Sequence, residues 1–209
     1  MAKERPLTRL EAALRTLGSD LAASGARWAL VGGLAVSVRA TPRFTRDLDV
    51  AVAVPDDSSA EALVKSLLGR GYRILAVVEQ QAKDRLATVR MLPPGEDAEG
   101  IVVDLLLASS GIEGELVAAA EPVEVWPSFV VPVAKAGHLL ALKVLARDDV
   151  ARPQDAADIR ALVEVLGAAD EQLALEAARL IEARGFHRDR QLISGVREAL
   201  ASRNAGPVN

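Results

Sequence analysis

The sequence has no cysteine, which excludes disulfides and thiolate metal sites and suits a reducing cytoplasm. Histidine is nearly absent too, with His138 and His187 the only two. A bound metal would therefore rest mainly on oxygen, the donor that hard cations such as magnesium prefer. Aromatic residues make up only 3%, so a core must be built from Leu, Val and Ala. No apolar run approaches the ~20 residues that span a bilayer, and the charged N-terminal stretch lacks the apolar centre of a signal peptide. A soluble, cytoplasmic protein is expected. Positive charge is not in excess either: the formal net charge is −4. Contact with nucleic acid would need a local basic patch, not an overall basic field. What is abundant is aliphatic side chain. Half of the 209 residues are hydrophobic, enough for one domain or two small ones.

The apolar pattern divides the chain in two. In the first part, Leu10, Leu14, Leu17 and Leu21 recur at helical spacing, predicting a helix over about 7–23. Trp28 to Val31 reads as a strand that ends at Gly32-Gly33, with a helix from Leu34 to Arg39. Asp47 to Val54 alternates at period two, which makes it a strand with Asp47 and Asp49 on one face. Pro55-Asp-Asp-Ser-Ser offers an N-cap for a helix over about 59–68, closed by Gly69 and Gly71. Further strands are read at Tyr72–Val78, Ala87–Leu92 and Ile101–Leu107. A short helix follows Gly111, and Val123–Val131 is read as extended around Pro127. From Val133 to Ala201 the text is rich in Ala, Leu, Glu and Arg, predicting three or four helices broken at Arg152-Pro153, Gly167 and Gly185, before a frayed tail at Asn204–Asn209. The fold class is mixed α/β: a mixed sheet flanked by helices over 1–131, then a helical bundle over 132–209.

Two acids two residues apart say little alone. Their setting says more. Asp47 and Asp49 open an apolar strand, a glycine pair precedes them at a strand-to-helix turn, and Asp104 interrupts Ile101-Val-Val-Asp-Leu-Leu-Leu107. A buried, unpaired carboxylate is costly, so Asp104 needs a cation, a salt bridge or an exposed position.

The stretch Gly32-Gly33…Arg43-Phe-Thr45-Arg-Asp47-Leu-Asp49-Val, followed by Leu139-Leu-Ala-Leu-Lys143 and Asp155-Ala-Ala-Asp158, resembles the DNA polymerase β-like nucleotidyltransferase superfamily. The branch it looks most similar to holds the AbiEii-type nucleotidyltransferase toxins. The resemblance covers roughly 28–165. It departs at the turn, where many members carry Gly-Ser, and at Gln154, where relatives commonly have lysine. It implies transfer of a nucleoside monophosphate from a nucleoside triphosphate to an acceptor, with magnesium or manganese. The acceptor would be RNA such as tRNA, in a toxin–antitoxin or phage-defence setting with a cognate antitoxin or toxin partner. Alternatives are a small-molecule transferase of the aminoglycoside type and a non-catalytic binding or antitoxin module.

Phosphoryl transfer is mainly positioning and charge neutralisation. Asp47 and Asp49 are the expected metal ligands, and Asp104 would complete a second metal site or act as a base. Gly32 and Gly33 would let backbone N–H groups approach phosphates. Arg43 would pair with a phosphate while Thr45 braces its loop. Lys143 is assigned to phosphate, against the alternative of a solvated helix stripe that it would share with Arg147, itself a nucleotide-binding candidate. The resemblance implies a functional role for one of Asp155 and Asp158, although acids also favour first helical turns. His138 is read as structural and His187 as a surface-loop residue. Arg179, Arg184, Arg188 and Arg190 are either a solvated face or a patch for RNA.

Overall fold

The computed structural model describes residues 7–80, 85–97, 99–148, 150 and 152–203, so the expected frayed tail lies outside the described residues. The chain runs α1 (Arg9–Ala23), β1 (Arg27–Val31), α2 (Gly32–Arg39), β2 (Asp47–Ala53), α3 (Asp57–Gly69), β3 (Arg73–Gln80), β4 (Arg85–Leu92) and β5 (Val102–Leu106). It continues α4 (Glu113–Ala118), β6 (Glu121–Trp126), β7 (Phe129–Val133), α5 (Ala136–Ala146), α6 (Gln154–Val165), α7 (Ala168–Ala183) and α8 (Leu192–Ala201). The seven strands form one sheet in the order β3-β4-β5-β2-β1-β7-β6. It is mixed, as expected: β2 at its centre pairs antiparallel with β1 and parallel with β5.

Local chemistry sets these elements. The Thr8 side chain accepts from the Glu11 N–H and caps α1, whose Leu14, Leu17 and Leu21 are fully buried. The Asp56 carboxylate caps α3 by accepting from the Ser59 N–H at 2.8 Å. In β2 the alternation holds: Leu48, Val50 and Val52 are fully buried while Asp47 and Asp49 take the other face.

Two readings are corrected. Residues 123–131 are not one extended stretch but the β6–β7 hairpin, which turns at Pro127-Ser128 with Trp126 opposite Phe129. Ser128 makes the turn with φ 60, a conformation its side chain does not advertise. The glycine pair does not precede a helix but opens α2 itself. The helical part holds α5 to α8, with the expected breaks. β7 runs to Val133, so position 131/132 falls inside a strand, and one continuous buried core reaches from Ala13 to Val196.

His138 is buried in α5, where burial and then the charge of Lys135 push its pKa down to about 4. It packs as a neutral ring. His187 lies in the loop between α7 and α8 as expected, half-buried, and its Nδ1 is shielded without a hydrogen-bond partner among the described residues. No described helix is long and apolar enough to cross a membrane.

Candidate active site

The register of β2 and β5 sets Asp49 directly beside Asp104. Asp47 lies two residues earlier on the same face, exposed at the strand's end. Asp49 and Asp104 line a cavity of about 480 Å³, together with Gly32, Arg90, Lys143 and Arg188. The central strand thus brings two acids, and its neighbour a third, to one side of the sheet. Burial is the main reason that the Asp49 carboxyl is pushed up to about 6. Repulsion from Asp104 and Asp47 adds to it, while Lys143 and the Gly33 N–H, which donates to the carboxylate, pull the other way. Negative charge at Asp49 is left under-compensated, which is the condition that a cation relieves.

Gly32 is required by two facts. Its φ is 65, and a Cβ placed on it would fall 1.9 Å from Asp49 Oδ2. Left-handed backbone alone costs a side chain roughly 1–2 kcal/mol. Gly32→Ala is expected to displace the Asp49 carboxylate and to lower both melting temperature and transfer rate. A variant with wild-type kinetics would show that the close approach is dispensable.

Lys143 ends α5 with its Nζ 2.8 Å from both Asp155 Oδ1 and Asp158 Oδ2. Both acids come from the first turns of α6 and are almost fully buried. Burial alone would raise the Asp158 carboxyl, but hydrogen bonds from Arg43 and Lys143 outweigh it and hold it below the usual range. Arg43, expected at a phosphate, is instead clamped to Asp158 through Nε at 2.6 Å and Nη2 at 2.8 Å, and Nη1 donates to the Phe44 carbonyl. Ser37 ties the same loop down: its hydroxyl donates to the Gly33 carbonyl and accepts from the Arg43 N–H. Thr45 donates to the Asp47 carbonyl at 3.4 Å and so braces the loop. Arg147 lies past the end of α5, exposed and outside the cavity lining.

The sequence reading missed Arg90. It stands opposite Asp104 in the β4–β5 register and grips it through Nε at 2.8 Å and Nη2 at 2.6 Å. The available signal was a lone cation alternating with apolar residues in Ala87–Leu92. Both Asp104 oxygens are thereby engaged. Among the described residues no three His, Asp or Glu side chains form a ready metal cluster. Asp47 and Asp49, hard oxygen donors with under-compensated charge, do fit a divalent ion.

The site is thus a mixed sheet with two acids on its central strand, a third on the neighbouring strand and a glycine-opened helix beside them. Residues 15–206 match the family described as nucleotidyl transferase AbiEii toxin, type IV toxin–antitoxin system. The chain belongs to this family and is a nucleotidyltransferase. Two solved structures share its fold. One is the lincosamide antibiotic adenylyltransferase LnuA with lincomycin bound, 15% identical, with a TM-score of 0.50, covering 78% of this chain and 100% of the other. The second is an antigenic nucleotidyltransferase-like protein from Paracoccidioides brasiliensis, 18% identical, with a TM-score of 0.50, covering 90% of this chain and 92% of the other. Among curated proteins none matches.

Proposed function

We propose that the protein transfers a nucleoside monophosphate from a nucleoside triphosphate to an RNA acceptor. The carrying observation is the assembly of Asp47, Asp49 and Asp104 on one sheet face, at a cavity that Gly32 and Lys143 also line. Asp47 and Asp49 would hold a magnesium or manganese ion, which supplies Lewis-acid charge neutralisation at the phosphate when bound. The opening turn of α2 keeps Asp49 in place through the Gly33 N–H. Lys143, poised by Asp155 and Asp158, meets a phosphate of the triphosphate. Asp104, fixed by Arg90, takes the proton of the acceptor hydroxyl as its oxygen attacks the α-phosphorus and pyrophosphate departs.

The part of the chain from position 132 onward would line the acceptor side, a reading supported by Leu139, Leu142 and Lys143 of α5 and by Arg152 and Arg188 of the loops beyond it, all of which line the cavity. The family's toxin–antitoxin setting supports a cognate antitoxin as partner, and the proposed substrates, a triphosphate and RNA, support a cytoplasmic setting. The test is incubation with each of four α-labelled nucleoside triphosphates, magnesium and total RNA, using wild type and Asp49→Asn. Label on RNA from wild type alone supports the reading and gives the base. Label on a small hydroxylated compound instead would replace RNA as acceptor. Absence of magnesium-dependent triphosphate binding would leave a non-catalytic module.

A further inference from the structure

The search for unexplained charge leads to the mouth of the cavity. Several described arginines are matched with acids: Arg9 with Glu96, Arg39 with Glu121, Arg70 with Asp20, Arg85 with Asp57. Arg43 and Arg90 are matched within the site itself. Arg152 and Arg188 differ from the other arginine of the cavity wall, Arg90, which is held by Asp104. Both line the cavity that holds Asp49, Asp104 and Lys143, and among the described residues neither has an ion pair. Asp189, next to Arg188 in the chain, pairs with neither.

The placement of Arg188 is built. Its Nη2 donates to the Ser109 carbonyl at 3.2 Å and to Ser109 Oγ at 3.1 Å. That turn is in turn organised by the buried Glu113, whose Oε1 accepts from the Ser109 N–H, the Ser110 N–H and the Ser110 hydroxyl. Arg188 and Asp189 both have positive φ, 53 and 57, an unusual pair for residues with side chains. Phe186 seats the loop against Gly111, where a Cβ would come within 2.5 Å of the ring. Burial, then the like charges of Arg190 and Arg152, hold Arg188 below the ordinary guanidinium value, with Glu113 opposing. A chain of net charge −4 has thus set three guanidinium groups near one another without a carboxylate partner, two of them on the cavity wall.

We infer that Arg152 and Arg188, supported by Arg190, form a phosphate-binding rim of the active-site cavity. The planar guanidinium matches phosphate oxygens in a bidentate way. This rests on the nucleotidyl-transfer reading, which supplies two sources of phosphate: the polyphosphate arm of the triphosphate and the backbone of the acceptor strand.

The experiment measures binding of two probes to the full chain against salt: magnesium tripolyphosphate, and a single-stranded RNA of twelve nucleotides. The proteins compared are wild type, Arg152→Gln/Arg188→Gln, and Arg27→Gln as a surface-charge control. Glutamine keeps a donor and most of the stem, and thermal melting checks that each variant is folded. The double variant is expected to bind tenfold or more weakly, with a smaller salt slope by about one to two, while Arg27→Gln matches wild type. Loss on tripolyphosphate assigns the rim to the nucleotide; loss on RNA alone assigns it to the acceptor. Equal binding of both probes by the folded double variant and wild type overturns the rim and leaves the transfer reading standing. If wild type binds neither probe, both fall together.

Discussion

Asp49→Asn is expected to abolish nucleotidyl transfer and yet raise the melting temperature of the metal-free protein. The two effects share one cause. Asp49 is held in a partly desolvated position beside two other acids, and its carboxyl is pushed up to about 6 from an ordinary 3.8. In the native state the ionised form is therefore disfavoured. As pH rises from about 4 to about 6, the unfolded chain releases this proton before the folded one does, so wild-type stability falls across that window relative to an asparagine variant. At neutral pH the penalty is complete, and asparagine, which has nearly the same shape, avoids it. A gain on the order of 3 kcal/mol follows from the rise from 3.8 to about 6. The lost catalysis is larger. Removing a group that positions charge at the reacting phosphate costs on the order of 10³-fold in rate, ~4 kcal/mol. Melting curves from pH 4 to 8 for both proteins, with labelled-nucleotide turnover at pH 7.5, check both halves. A variant less stable than wild type at pH 7.5 would contradict the account of Asp49 as strained.

Lys143→Met is expected to fail differently. Among the described residues the ammonium is the only cation touching Asp155, whose second oxygen is buried without a partner there. Removing it strands a buried carboxylate, a change that typically costs about 3–5 kcal/mol. Asp158 retains Arg43 and suffers less. Adding Asp155→Asn to Lys143→Met should therefore recover much of the stability, because the stranded charge goes with it. It should not recover transfer, because the cation facing the cavity is still missing. Recovery of turnover together with stability would reduce Lys143 to a structural counter-ion.

The sequence disclosed what depends on near neighbours. The Leu14–Leu17–Leu21 stripe of α1 and the alternation of β2 are local patterns, and their elements follow within a few residues. Asp47, Asp49 and Asp104 were legible for the same reason, since each is a charge interrupting an apolar strand. What stayed hidden was pairing across the chain. The partner of Arg43 is 115 residues away, and nothing around Arg43 distinguishes a phosphate contact from an internal clamp. Arg90 meets Asp104 only through a strand register that neither segment specifies alone. Pro127-Ser128 concealed a hairpin because serine rarely takes the left-handed turn it takes here.

The clamp between Arg43 and Asp158 has a consequence for timing. The strand β2, with Asp47 and Asp49, is synthesised well before Lys143, Asp155, Asp158 and Arg188. Domains fold as units during synthesis, N-terminal parts first, but here the early half cannot complete its own pocket. Until those residues are made, Asp104 has its Arg90 but Asp49 lacks Lys143 and Arg43 lacks Asp158. The cavity is therefore walled on both sides only once the residues after β7 have joined those of β2 and β5.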